Sequence, residues 1–389
     1  VRQNRQNCQR ICTFTDEGRR EGFFASCGEK ESFGCAACGN DDDDDVERLH
    51  KKRRDLFVKR TMICAVVAAL LIALAGSAVG AVEFVTLVTG STGGTYYPVG
   101  TILANHFNKA LLKDGVKWSA QSSGGSTENL DMLNKGEAEM AIAMCNLTGF
   151  AYTGTNRYEG KGYPNLRYVF GLWPEASQFV YAKNSGITGW DTLKGKKIAV
   201  GPPASGTEFS TRVVLKGLAG LTFDDIVPEY LGYSEAGQAI QNGRIDAALL
   251  EAGIPTSAVT ELYAGRAEVG MLPIEGELLN KLVAEAPWYA PVTIPAETYP
   301  KQDTEIPLVG VKCALLASPK LEAELVYKML QIIYADKEDF LKEHAVFTKV
   351  DFDAPLAGLY GAPLHAGAVK FYQEKGFDVP EALIPPEMK

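Results

Sequence analysis

Three turns of one chemistry, each between a strand-like run and a helical pattern, constrain this chain more than any other feature. Gly90-Ser91-Thr92-Gly93-Gly94-Thr95 follows the run Phe84 to Val88. Gln121-Ser122-Ser123-Gly124-Gly125-Ser126 follows Val116 to Ala120, and Pro202-Pro203-Ala204-Ser205-Gly206-Thr207 follows Lys197 to Val200. A strand that turns through such residues into a helix leaves the first helical N–H groups without intrahelical partners, at the positive end of the helix dipole. That end is a site for a small anion, most simply a carboxylate. Three of them predict a ligand held between two lobes.

The periodicity around the turns supports two similar Rossmann-like α/β lobes with a hinge and an interlobe cleft. In the first, Val99, Leu103, Phe107 and Leu111 recur at helical spacing, Gly115 and Gly136 stop helices, and Met140 to Met144 reads as a buried strand. In the second, Lys197 to Val200, a helix from the Ser205 turn through Leu215, a strand at Glu229 to Leu231, a helix from Ser234 to Asn242 and a strand from Asp246 to Leu250 repeat the plan. Even the junctions match: Asn134-Lys135-Gly136-Glu137-Ala138-Glu139-Met140 parallels Gln241-Asn242-Gly243-Arg244-Ile245-Asp246-Ala247. Open parallel sheets bind ligands at the carboxyl ends of their strands, where all three turns lie. The expected partition is residues 82–183 with 306–389 as lobe I and 184–305 as lobe II. The proline-rich segment Ala286 to Pro307 is expected to cross back between them.

The first 81 residues read differently. Lys59 and Arg60 precede an apolar run that ends in Val79-Gly80-Ala81, the pattern of a secretory signal peptide over 58–81 with cleavage near Ala81. The rival is an uncleaved anchor that leaves the protein facing outside, since the run approaches the roughly 20 residues of a spanning helix. Either places the rest outside the cytoplasm, in the periplasm if cleaved. Residues 1–57 carry five of the eight cysteines and the run Asp41 to Asp45. Cys35-x-x-Cys38 has the spacing of half a zinc site, but no second pair of the same spacing completes it. The segment is expected to be an upstream extension outside the native protein, or disordered. Beyond residue 81 only Cys145 and Cys313 remain, as buried thiols or as one bridge.

The motifs Thr89 to Gly100, Ser119 to Leu130, Lys196 to Thr207, Asp246-Ala247-Ala248 with Ala252-Gly253-Ile254-Pro255, and His365 to Tyr372 resemble the TAXI family, the solute receptors of one branch of TRAP transporters. The resemblance covers about residues 82–389. It implies a type II periplasmic binding protein whose lobes close on a small organic anion, a dicarboxylate or an amino acid such as glutamate. The closed receptor would then dock on a sodium-coupled membrane permease. Two positions depart from the family. Met144 and Cys145 stand where polar residues are common, and Glu251 stands where an apolar or aromatic residue is. Glu251 either faces the cleft, where it would suit an ammonium or hydroxyl, or points to solvent.

The candidate ligand residues are Ser91, Thr92, Gly93, Gly94, Ser123, Gly124, Gly125, Ser126, Ser205, Gly206 and Thr207 of the turns, with Asn129, Met144, Tyr152, Glu251 and Gly253. One of Tyr96 and Tyr97 is expected to face the ligand while the other packs, because adjacent helical residues diverge. An arginine clamp would come from Arg157 or Arg212. Net charge −9 argues against a nucleic-acid partner. The rivals are an exported enzyme and a protein-binding module on the same fold. Gly232-Tyr233-Ser234-Glu235-Ala236 lacks the second glycine of a nucleophile elbow, Gly90 to Gly94 lacks the dinucleotide spacing, and His106, His344 and His365 form no metal-like pair. No cofactor, metal or catalytic residue is expected.

Overall fold

The computed structural model describes residues 51–62 and 82–389. The chain divides into two units, Val1–Ala78 and Val79–Lys389. Of the first, residues 51–62 are an exposed helix; the cysteine-rich segment and most of the expected signal peptide lie outside the described residues. Among the described residues no helix is long and apolar enough to cross a membrane.

In the second unit, β1 (Glu83–Val88) leads into α1 (Tyr96–Leu111), β2 (Val116–Gln121), α2 (Ser126–Lys135) and β3 (Met140–Met144). α1 buries Val99, Leu103, Phe107 and Leu111, one residue per turn, against the sheet. β2 alternates buried Val116 and Trp118 with exposed Lys117 and Ser119, whereas β3, at the centre, is buried throughout. A short helix, α3 (Cys145–Thr153), follows at once, and β4 (Arg167–Ala182) then runs for 16 residues. The unit repeats as β5 (Lys197–Ala199), α4 (Gly206–Val214), β6 (Val227–Glu229), α5 (Tyr233–Gln241) and β7 (Ala247–Ala252). α6 (Ser257–Ala264), β8 (Val269–Met271), α7 (Gly276–Glu285) and β9 (Ala290–Ile294) precede β10 (Ile306–Ala317), and α8 (Ala323–Ala335), α9 (Lys337–Glu343) and α10 (Ala366–Glu374) close the chain.

The strand order is β2-β1-β3-β10-β4-β7-β5-β6, with β8 on β4 and β9 on β10. Strand β1 pairs in parallel with β2 and β3, and β5 with β6 and β7. Next to β3 lies antiparallel β10, then the first part of β4; next to β7 lies antiparallel β4, then β8. Each half is therefore the same α/β lobe: three parallel strands, one returning strand and an outer strand. The sheet partners change at two residues that face each other, Ala176 of β4 and Gly310 of β10. Ala176 also pairs with Ala252, and Gly310 with Ala290. A Cβ on Gly310 would lie 2.8 Å from the Glu175 carbonyl oxygen, so the crossing strands need glycine there to approach.

One expectation changes. The return between lobes is β10 itself; the proline-rich segment before it contributes β9, a hairpin partner of β10. The other crossing, β4, carries no readable pattern, because Gly171, Pro174, Glu175, Ser177 and Gln178 interrupt its apolar residues. Cys145 and Cys313 are free, buried thiols.

One contact gives the first lobe a pH dependence. His106 of α1 is buried, and its ring nitrogens contact Asp336 Oδ2 at 2.6 Å and Glu343 Oε1 at 2.9 Å. Burial pulls its pKa down, but the two carboxylate bonds together outweigh burial and raise it. A raised imidazole pKa contributes stability that is complete below the free value of about 6.5 and fades as pH rises through the folded value. The melting-temperature advantage of the wild type over His106→Gln is expected to be largest at about pH 6 and to shrink as pH rises further. A difference independent of pH would show the imidazole neutral.

Candidate functional site

A cavity of ≈ 40 Å³ lies where the three turns meet, at the carboxyl ends of β1, β2 and β5. Room for a water needs roughly 10–15 Å³ on this scale, so the closed space suits a solute of a few heavy atoms. Ser91, Gly94 and Tyr96 come from the first turn, Gly124, Gly125 and Ser126 from the second, Gly206 and Thr207 from the third. The helices α1, α2 and α4 thus direct three N-termini at one space.

Part of the donor supply is already committed within the turns. Gly94 N–H donates to Ser91 O at 3.0 Å, Gly124 N–H to Glu128 Oε2 at 2.6 Å and Gly125 N–H to Ser123 Oγ at 3.1 Å. Ser126 Oγ accepts from Met144 N–H at 3.1 Å, and Ser205 Oγ caps α4 by accepting from Glu208 N–H at 3.0 Å. These bonds brace the turns and leave the first-turn amides of the helices as the donors without intrahelical partners.

Several expected residues stand elsewhere. Thr92 is exposed, and Gly93 faces Ser234 and Ala258 of the other lobe. Tyr96 lines the cavity and is buried, while Tyr97 is half-buried outside it. Asn129 is fully buried, with Nδ2 donating to Thr89 O at 2.5 Å and Ile142 O at 2.8 Å; it ties the ends of β1 and β3 together. Ser123 donates to Asn129 Oδ1 at 2.6 Å and belongs to the same support. Tyr152 packs half-buried on the core away from the cavity. Gly253 does not line it either; its N–H donates to Thr95 Oγ1 at 3.1 Å, a bond between lobes. Neither candidate arginine reaches the site. Arg212 Nε donates to Glu208 Oε1 at 2.7 Å with its guanidinium 3.8 Å from the centre of the Phe223 ring. Arg157 Nη2 lies 4.0 Å from Glu208 Oε2 and stacks over Phe209. No lysine or arginine lines the cavity.

Two carboxyl groups line it instead. Glu251 is 2% exposed and faces inward, which settles its two alternatives against solvent. Its Oε2 accepts from Ser177 Oγ at 2.6 Å, and its Oε1 has no partner. Glu175, from the crossing strand β4, is 3% exposed and accepts from Trp173 Nε1 at 2.6 Å. Burial pushes the Glu175 carboxyl up to about 8, against the hydrogen bonds it accepts. Burial raises Glu251 well above the usual carboxylate range, with the nearby Glu175 adding to it. Around them Tyr96 Oη, Tyr289 Oη and Ser210 Oγ are buried without partners. Thr207 Oγ1 and Tyr233 Oη are 2.6 Å apart, and Tyr233 Oη donates to Glu251 O at 2.6 Å, fixing the wall. No sequence signal marked Glu175, because it sits in a strand with no pattern.

The model of the NMT1-like family matches residues 87–376. Among solved structures the chain is similar to MatC of Rhodopseudomonas palustris with bound malate, at 16% identity and TM-score 0.49, over 76% of this chain and 97% of that one. It is similar to PhnD1 of Prochlorococcus marinus in complex with methylphosphonate, at 10% identity and TM-score 0.46, over 76% and 98%. It is also similar to the periplasmic aliphatic sulphonate binding protein SsuA of Escherichia coli, at 19% identity and TM-score 0.38, over 77% and 90%.

Proposed function

This chain belongs to the NMT1-like family, and we propose that it is an extracytoplasmic solute receptor, not an enzyme, serving a membrane transporter. In this reading it is exported to the periplasm, captures one small organic solute between its lobes and delivers it to a sodium-coupled TRAP permease, as the TAXI-like motifs suggest. The observation that carries the reading is the pairing of three helix N-termini with two buried, inward-facing carboxyl groups and no cation. Helix N-termini suit a carboxylate. Glu175 and Glu251, with the unpartnered Tyr96 hydroxyl, suit a group that donates hydrogen bonds, such as an ammonium. An amino acid presents both, its ammonium paired with a carboxylate, whereas a dicarboxylate would require these two carboxyl groups to stay protonated and donate. The lining residues include no histidine or cysteine to serve as base or thiol nucleophile.

A thermal-shift screen of amino acids and dicarboxylates tests this. A bound solute at about 100 times its Kd stabilises by about 2.7 kcal/mol. Small amino acids are expected to raise the melting temperature and dicarboxylates of similar size to leave it unchanged. Turnover of any compound in the screen would instead favour the enzyme.

A further inference from the structure

A second cavity, of ≈ 450 Å³, lies on the other face of the β4–β10 ladder. Side chains alternate across a strand: Glu175 lines the solute cavity, while Leu172 and Pro174 line this one. Lys312, the register partner of Pro174, shares their face. Pro287 and Trp288, just before β9, bring the second lobe to the same space, and Asn146, at the start of α3, brings the first.

Three of the residues that line it carry donors without acceptors. Asn146 is 0% exposed, and its Nδ2 has no partner; its Oδ1 accepts from Leu147 N–H at 2.8 Å, which settles which end of the amide carries the free donor. Trp288 Nε1 is also buried and unpartnered. Lys312 is half-buried and, among the described residues, forms no ion pair; burial lowers its pKa, opposed by the field of Asp351. Asp351 lines the same space, but its Oδ1 already accepts from Asp353 N–H at 3.0 Å and Ala354 N–H at 2.9 Å. Lys349 adds an exposed positive charge at the rim. A fully buried amide donor without an acceptor is costly unless something accepts from it.

We infer that this cavity is a second ligand site, for a small organic carboxylate with an apolar body, held at its head by Lys312, Asn146 and Trp288 and at its body by Leu172, Pro174 and Tyr360. It is separate from the solute cavity, and an occupant would touch both lobes beside the hinge residue Gly310.

Calorimetric titration of the full chain with benzoate tests it, with inorganic phosphate as comparison. Benzoate is expected to bind at one saturable site and more tightly than phosphate. Lys312→Met removes the charge and keeps the stem; Asn146→Asp keeps the acceptor for Leu147 and replaces the donor by a repelling oxygen. Each is expected to weaken benzoate roughly ten-fold or more, the effect of losing a hydrogen bond to a charged group, and Lys312→Arg to retain most of it. Absence of saturable benzoate binding to the wild type overturns the site whatever the variants do. Unchanged binding in both variants places benzoate elsewhere and overturns it too. Phosphate binding as tightly as benzoate overturns the organic class.

Discussion

Gly93→Val is expected to abolish solute capture while leaving both lobes folded. A Cβ at Gly93 would stand 2.3 Å from Ser234 Oγ, 3.0 Å from Ser234 N and 3.4 Å from Ala258 Cβ. The hydroxyl can rotate away, but the backbone nitrogen and the alanine methyl sit on α5 and α6 of the opposite lobe and cannot. The same contact carries a bond between lobes, Ala258 N–H to Gly93 O at 3.1 Å. The nearest atoms to that Cβ all belong to the other lobe, so valine blocks the approach of the two. If the solute binds by closure of a hinge, affinity falls by the fraction of molecules still able to close, a loss of at least roughly a hundred-fold for a clash of a few kcal/mol. Small-angle scattering should show the wild type contract when an amino acid from the screen is added, and the variant stay unchanged. Normal affinity in Gly93→Val would mean that capture does not need this contact. The sequence places Gly93 among the ligand-facing residues; the structure sets it against the other lobe.

Glu175 and Glu251 are expected to set both the pH dependence and the choice of solute. Without solute, a carboxyl raised to about 8 holds a proton that the unfolded chain releases near pH 4.3. The native state then binds more protons, so this contribution to stability is full below about pH 4.3 and declines as pH rises toward about 8. Glu175→Gln, which keeps the shape and cannot ionise, should flatten that decline in a series of melting temperatures. The solute reverses the preference. An ammonium held by these groups requires a carboxylate, so at neutral pH binding should release a proton. Calorimetry in buffers of different protonation enthalpy counts it. Glu251→Gln should weaken an amino acid by roughly ten- to a hundred-fold, because it removes a charge-assisted bond in a buried site. Absence of proton release on binding, together with retained affinity in Glu251→Gln, would identify a solute whose second end accepts from the protonated carboxyls, as a dicarboxylate would, and would sink the amino-acid reading.

The three turns were legible because their signals are local. Gly136 ends α2 at φ 76°, and Ser205 caps α4, as their neighbours in sequence imply. The helical spacing of Val99, Leu103, Phe107 and Leu111 likewise belongs to one element and names its buried face without reference to any other. From such units the repeated lobes and the position of the cleft follow by general rules of open α/β sheets.

What the turns hold between them depended on pairings far apart in sequence. Arg212 and Arg157 were open candidates until Glu208 and two phenylalanine rings engaged them outside the cavity. Tyr96 and Tyr97 are equivalent in composition, and only the packing of α1 chose between them. Glu251 had two plausible directions, and burial against Ser177 of β4 chose the inner one. Glu175 was silent because β4 changes partner strands along its length, so its residues obey no single period. The sequence by itself determined two α/β lobes with helix N-termini at their facing edges, since turn chemistry and periodicity act within a few residues. Only the tertiary structure decided that two acids and no cation complete the site, since the charge inside a cavity is set by which distant strands cross beside it.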